Sequence, residues 1–369
     1  MQEIDWNKRL IGIKGTRGVG KTTFLLQYAK ENFGTDRSCL YINLNNLYFT
    51  ECTLHEFAEK FYMQGGKTLL VDQVFKYPNW SDELKLCYDK LPNLKIVFTG
   101  SSVMRLKEEN PVLSGIVDSY NLRGFSFREF LNLMAGTAFP SVKLPDILNH
   151  HTSIAKEICR KINPFDYFKE YLHHGFYPFF LEKRNFSENL IKTMNMMLEV
   201  DILFLKQIEL TYLPKVRKLL YLLALNAPSA PNVSQLSQEI CTSRATVVNY
   251  IKYLKDARLI NMLYPVGDSF PKKPAKVYMH NTNLMYPVSL GNIDEQAVRE
   301  TFFYNTLHKD NRLNKGGKNV TFTVNETLNF KIERDKVKKR LYPDIFYAID
   351  HLKEGSENQI PLWLFGFLY

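Results

Sequence analysis

The chain has 369 residues, 45% hydrophobic and 23% charged, with a net charge of +10; these are ordinary globular values with room for about two or three domains. Its five cysteines (39, 52, 87, 159 and 241) form no C-x-x-C pair, which excludes a disulfide framework or a cysteine-held zinc and suits a reducing cytoplasm. No apolar run approaches the about 18 residues of a membrane span and the opening lacks signal-peptide character, so a soluble cytoplasmic protein is expected, its basic balance favouring an acidic partner such as nucleic acid.

The first element is an apolar strand at residues 10–14. It runs into Gly15-Thr16-Arg17-Gly18-Val19-Gly20-Lys21-Thr22, and a helix follows from Thr23 with Phe24, Leu25, Tyr28 and Ala29 at helical spacing. The loop matches the phosphate-binding pattern G-x-x-x-x-G-K-[ST] at every fixed position. Its glycines let successive amides point at a phosphate, and the positive end of the helix adds attraction. Lys21 is placed to reach the outer phosphates of ATP, and Thr22 to ligate Mg²⁺.

Further strand-like runs at residues 38–43, 67–74, 95–99 and 118–122, with helices between them, predict a parallel α/β sheet. Lys67-Thr-Leu-Leu-Val-Asp72 ends in an acid suited to hold Mg²⁺ through water. The next residue, Gln73, can orient water but cannot take its proton. Ile96-Val-Phe-Thr-Gly-Ser-Ser102 ends in small polar residues, and Ser101 or Ser102 is expected between the γ-phosphate and the acidic strand.

These blocks resemble the prokaryotic AAA-type P-loop ATPases that carry a C-terminal winged helix and a nuclease-like domain of unknown function. The resemblance rests on Trp6, the loop at residues 15–22, Lys76-Tyr-Pro-Asn-Trp80, Leu84-Lys-Leu-Cys-Tyr-Asp89 and Phe98-Thr-Gly-Ser-Ser102. It continues through Gly124-Phe-Ser-Phe-Arg-Glu-Phe130, Tyr171-Leu-His-His-Gly-Phe-Tyr-Pro178, Asn281-Thr-Asn-Leu284, Arg299-Glu-Thr-Phe-Phe303 and the terminal residues 360–369. It implies an AAA-type parallel sheet at residues 1–140, a helical lid at 141–225, a winged helix at 226–285 and a small α+β domain at 286–369. It also implies ATP binding. Two departures predict slow hydrolysis: Gln73 stands where relatives carry a glutamate, and Leu113-Ser-Gly-Ile-Val117 where they carry arginines. Asp82 or Glu83 could substitute as base, though a solvated helix face suits that pair as well.

In the middle region Leu190, Met194, Met197, Leu198 and Ile202 recur at helical spacing as core. Arg160, Lys183 or Arg184 is a candidate lid sensor under the resemblance. The pairs His150-His151 and His173-His174 lack a third ligand at suitable spacing, against a metal reading.

Residues 232–240, 244–255, 259–264 and 276–279 read as helix, helix, strand, strand, the order of a winged helix-turn-helix. A DNA-reading surface would use Arg244, Thr246, Asn249 and Lys252 on the second helix, with Lys272, Lys273 and Lys276 on the wing. Such domains also serve as internal lids or protein contacts.

At the end of the chain, Glu300 fits one position of a nuclease pattern. Asn329-Phe330 and Glu333-Arg-Asp-Lys336 fail the others, so nuclease chemistry is not expected. Lys336, Lys338, Lys339 and Arg340 form a basic cluster, and residues 360–369 an apolar terminus expected as a core strand pair or buried edge.

The expectation is an ATP- and Mg²⁺-binding AAA-type protein, a slow ATPase that switches a duplex DNA or protein partner. The alternative is a DNA-binding winged-helix protein or interaction scaffold with vestigial nucleotide.

Overall fold

The computed structural model describes residues 3–104, 110–289, 293–337 and 341–369. Of the basic cluster, Lys338, Lys339 and Arg340 lie outside the described residues. The chain divides into two compact units, Met1–Gly124 with Val200–Gln207, and Phe125–Glu199 with Ile208–Tyr369.

The first unit alternates β1 (Leu10–Gly15), α1 (Lys21–Asn32), β2 (Cys39–Asn43), α2 (Leu54–Met63), β3 (Thr68–Asp72), α3 (Trp80–Lys90), β4 (Lys95–Ser101) and β5 (Asp118–Asn121). The strands form one parallel sheet in the order β2-β3-β4-β1-β5. Both faces are covered, which is why the strands read as continuous apolar runs. Ile11, Ile13, Leu70 and Val97 face Leu25 and Tyr28 of α1. Their neighbours Leu10, Leu69, Val71, Ile96 and Phe98 face the other layer, with Leu54 of α2 and Leu84 of α3. The period of two along each strand sorts the residues onto the two faces. Because β4 lies between β1 and β3, its carboxyl end emerges between the phosphate loop and Asp72. Val200 and Leu205, far along the chain, pack against the α2–α3 side of this core.

The second unit begins with α4 (Phe127–Ala135), α5 (Leu144–Lys161), α6 (Phe165–Glu170), α7 (Phe186–Met196) and α8 (Leu213–Leu225). Next come α9 (Val233–Glu239), α10 (Arg244–Asp256), β6 (Ile260–Leu263) and β7 (Lys276–Met279), the last two an antiparallel pair. Then follow α11 (Glu295–Leu307), β8 (Leu313–Lys315), β9 (Phe322–Val324), β10 (Leu328–Glu333), β11 (Ile345–Ile349) and β12 (Gln359–Pro361), whose sheet order is β12-β11-β10-β9-β8.

The main core of this unit is aromatic. Phe127 and Phe130 of α4, Phe302 and Phe303 of α11, and the terminal Trp363, Phe365 and Phe367 all belong to it. Burial of each such ring is worth about 1.5–3 kcal/mol. This need for cover draws α4 into the second unit, although the sequence groups it with the preceding sheet. The apolar terminus is buried, as expected. Only Gln359–Pro361 is strand, at the sheet edge, and Leu362–Phe367 is a tight 3₁₀ segment with every residue inside.

Candidate nucleotide site

β1 stops at Gly15 and α1 starts at Lys21, leaving residues 16–20 as the loop. Gly18 (φ 78°) and Gly20 (φ 90°) take left-handed conformations that would cost another residue about 1–2 kcal/mol. Gly15 is required by packing instead, since a Cβ there would lie 2.4 Å from the Leu122 carbonyl oxygen. α1 has no side-chain cap and no acid in its first turn, so its leading amides are left for an anion. By contrast, capping boxes at Thr53 and Ser126 close the starts of α2 and α4.

The Lys21 ammonium donates to the carbonyls of Gly15 and Thr16, both at 2.9 Å. Desolvation pushes its pKa down to about 8, with Arg17 adding to the lowering and Asp201 and Asp72 opposing it. Asp72 is buried at the end of β3 and accepts from the hydroxyls of Thr22 (2.7 Å), Tyr41 (2.9 Å) and Thr99. A hydroxyl and a carboxylate at that distance form an all-oxygen donor set that suits Mg²⁺. The Tyr41 phenol is pushed up to about 12 by its own burial and then by the Asp72 charge.

Gln73 sits at φ 59° after β3; its amide N–H donates to the Thr99 hydroxyl (2.9 Å), and its side-chain oxygen accepts from Asn45 at 3.5 Å. Neither candidate substitute base is brought here by hydrogen bonding: Glu83 accepts from the His55 amide at 2.8 Å, and Asp82 is exposed. Ser101, buried at the end of β4, hydrogen-bonds to Asp201, and half-buried Ser102 follows it. Val19 and Thr16 are buried within the loop, while Thr22 and Thr23 are exposed at the start of α1.

Arg17, at a variable position of the loop pattern, contributes its side chain. Its guanidinium grips both oxygens of Asp201, at 2.9 and 3.3 Å, and lies 5.4 Å from the centre of the Phe75 ring. Desolvation raises the Asp201 pKa, against the opposing pull of Arg17, Ser101 and Lys21. Sequence reasoning passed over Asp201, Tyr41 and Thr99. The available signal for Asp201 was an acid set in the otherwise apolar stretch Val200-Asp201-Ile202-Leu203-Phe204.

The residues expected to touch nucleic acid are less uniformly available. On α10, Arg244 and Asn249 are exposed, and Thr246 is tied to the helix cap Ser243, whose oxygen accepts from the Thr246 amide at 3.1 Å. Lys252 pairs with Asp256 at 2.8 Å and lies over the Phe270 ring. Between β6 and β7, Lys272 pairs with Asp268 and Lys273 is exposed, while Lys276 of β7 reaches buried Glu300 at 3.1 Å. Glu300 also accepts from Tyr278 (2.8 Å) and Gln296 (3.3 Å). Among the described residues no group of three or more His, Cys, Asp or Glu is placed to hold a metal, and no helix is long and apolar enough to cross a membrane.

Residues 7–131 match the family model of an AAA domain, and residues 165–296 match a domain of unknown function, DUF8612. The uncharacterised protein MJ1637 of Methanocaldococcus jannaschii is 30% identical over 73% of this chain and 59% of its own length. MJ1544 of the same organism is 25% identical over 78% of this chain and 64% of its own length. The chain thus spans about three fifths of the curated relatives it matches. Among solved structures, the Aeropyrum pernix ORC1 protein in complex with DNA aligns at TM-score 0.31 and 12% identity, covering 80% of this chain and 86% of that one. AMPPCP-bound DnaA from Aquifex aeolicus aligns at TM-score 0.28 and 14% identity, covering 68% and 82%.

Proposed function

We propose that this chain, which carries an AAA-type P-loop domain ahead of a domain of unknown function, is a slow ATPase that serves as a nucleotide-dependent switch for a nucleic acid or protein partner. The observation that carries the reading is the 2.7 Å contact between the Thr22 hydroxyl and Asp72, set behind a loop whose lysine donates to backbone carbonyls. In that arrangement the loop amides and Lys21 take the β- and γ-phosphates of ATP. Thr22, and Asp72 through water, would hold Mg²⁺, which supplies charge neutralisation at those phosphates. Thr99 fixes the Asp72 carboxylate and the Gln73 amide together.

Slow turnover follows from Gln73, because a neutral amide beside the phosphate positions water without accepting its proton. Calorimetric titration of ATP with Mg²⁺, followed by phosphate release on the same sample, tests the whole reading. Binding with little release is expected, and no binding overturns it. Gln73→Glu should then raise turnover about 100-fold or more if a general base is what is missing. Unchanged turnover in a variant that still binds ATP would refute that cause.

A second reading, DNA contact through α10 and the wing, is supported by the outward Arg244, Asn249 and Lys273. Its test is binding to duplex DNA as a function of salt, since phosphate contacts release counterions. No binding at low salt would end it.

A further inference from the structure

Apart from Asp72, Asp201 is the buried carboxylate of the first unit among the described residues. The phosphate chemistry above does not use it. It arrives from a segment 184 residues beyond Arg17 in the chain, within a π-helical stretch, Met197–Phe204. Val200 and Leu205, on either side of it, are partly buried against the apolar core, and the Leu205 amide donates to the Val200 carbonyl at 3.2 Å. Asp201 thus joins three parts of the site: Arg17 from the loop, Ser101 from the end of β4, and the field of Lys21.

Arg17 lies in the loop between β1 and α1, and Ser101 at the end of β4, the strand between β1 and β3. A phosphate group placed there is a second anion competing for cations that Asp201 already neutralises. Two anions in one poorly solvated site repel strongly, so one must yield.

We infer that Asp201 discriminates between nucleoside tri- and diphosphates. A triphosphate takes Arg17 from Asp201 and releases the Val200–Gln207 segment, whereas a diphosphate, held by the loop amides and Lys21, leaves the Arg17–Asp201 pair in place. No bond is made or broken; what changes is the partner of the guanidinium. The inference rests on the nucleotide reading above and adds to it the residue that senses the third phosphate.

The test compares dissociation constants for ATP and ADP, each with Mg²⁺, in the wild-type chain and in Asp201→Asn. The variant should tighten ATP about tenfold and ADP hardly at all. Equal tightening of both, or weaker ATP binding, overturns the inference while leaving nucleotide binding intact. Binding of neither nucleotide by either protein would overturn the nucleotide reading as well. Hydrogen exchange on the wild type guards against a variant that folds poorly: ATP should speed exchange across residues 200–207 and ADP should not. Equal exchange with both nucleotides is the contrary result.

Discussion

The phosphate loop of the first unit and the α10–β7 region of the second are both rich in charge but hold it differently. In the loop, Lys21 rests on carbonyls and Asp72 on hydroxyls, neutral groups that a phosphate or a cation can replace at little cost. On α10 and the β6–β7 hairpin, Lys252, Lys272 and Lys276 each have a carboxylate of their own. A charge resting on neutral neighbours is available to a ligand; one matched to a buried counter-ion serves first the fold. The net charge of +10 says nothing about which case applies. Arg17 and Asp201 form a matched pair at the loop, and that pair is what the third phosphate of a triphosphate would have to displace.

The comparison breaks most sharply on two substitutions. Lys21→Ala should cost about 2–5 kcal/mol of ATP binding, the usual loss for a desolvated charge partner, without lowering the unfolding midpoint. Calorimetry and thermal unfolding on one sample check both halves. Glu300→Gln should do the reverse. It leaves Tyr278 and Lys276 without their anion and should cost about 1–3 kcal/mol of stability. ATP affinity should not move. If Glu300→Gln weakened ATP binding as much as Lys21→Ala, the division between ligand charges and structural charges would fail.

What could be read from the sequence follows the same divide. The five strands and the loop are local patterns, short apolar runs for the buried sheet and fixed glycines for the turn, so neighbours in sequence suffice to predict them. The helices and strands of residues 233–279 were legible for that reason too. The partners were not. Tyr41 reaches Asp72 across 31 residues and Arg17 reaches Asp201 across 184, and nothing local to either residue encodes the contact. Lys276 reads as a wing lysine until α11, 24 residues on, places Glu300 against it. The terminal residues were legible as buried but not as a 3₁₀ segment, because an all-apolar run carries no period to tell the two apart.

pH sharpens the comparison at intermediate size. Folding lowers the Lys21 pKa from 10.5 to about 8, so the folded state disfavours its charged form. Between those values the unfolded chain binds more protons, and this group's contribution to stability rises with pH across that window. Phosphate binding needs the ammonium, so ATP affinity should instead fall as pH passes about 8, approaching tenfold per unit. Titrations in buffers of different ionisation enthalpy should show proton uptake on binding above that pH. Affinity flat from pH 7 to 9 would mean that Lys21 keeps its charge unaided.

The smallest effect concerns the wing lysines. If duplex DNA binds there, each lysine that contacts a phosphate adds about 0.9 to the slope of log affinity against log salt. Lys273 is exposed, and Lys272 is held only by an exposed ion pair, which is worth little and exchanges readily. Alanine at either position should lower the slope by about one. Lys276 is committed to a buried carboxylate, and moving it to a phosphate would strand Glu300 without its cation. Lys276→Ala should therefore leave the salt slope unchanged and show itself in the unfolding midpoint. A Lys276→Ala protein with a reduced slope and unaltered stability would place that lysine with the ligand charges, and the rule that a matched partner marks a structural charge would not hold for this wing.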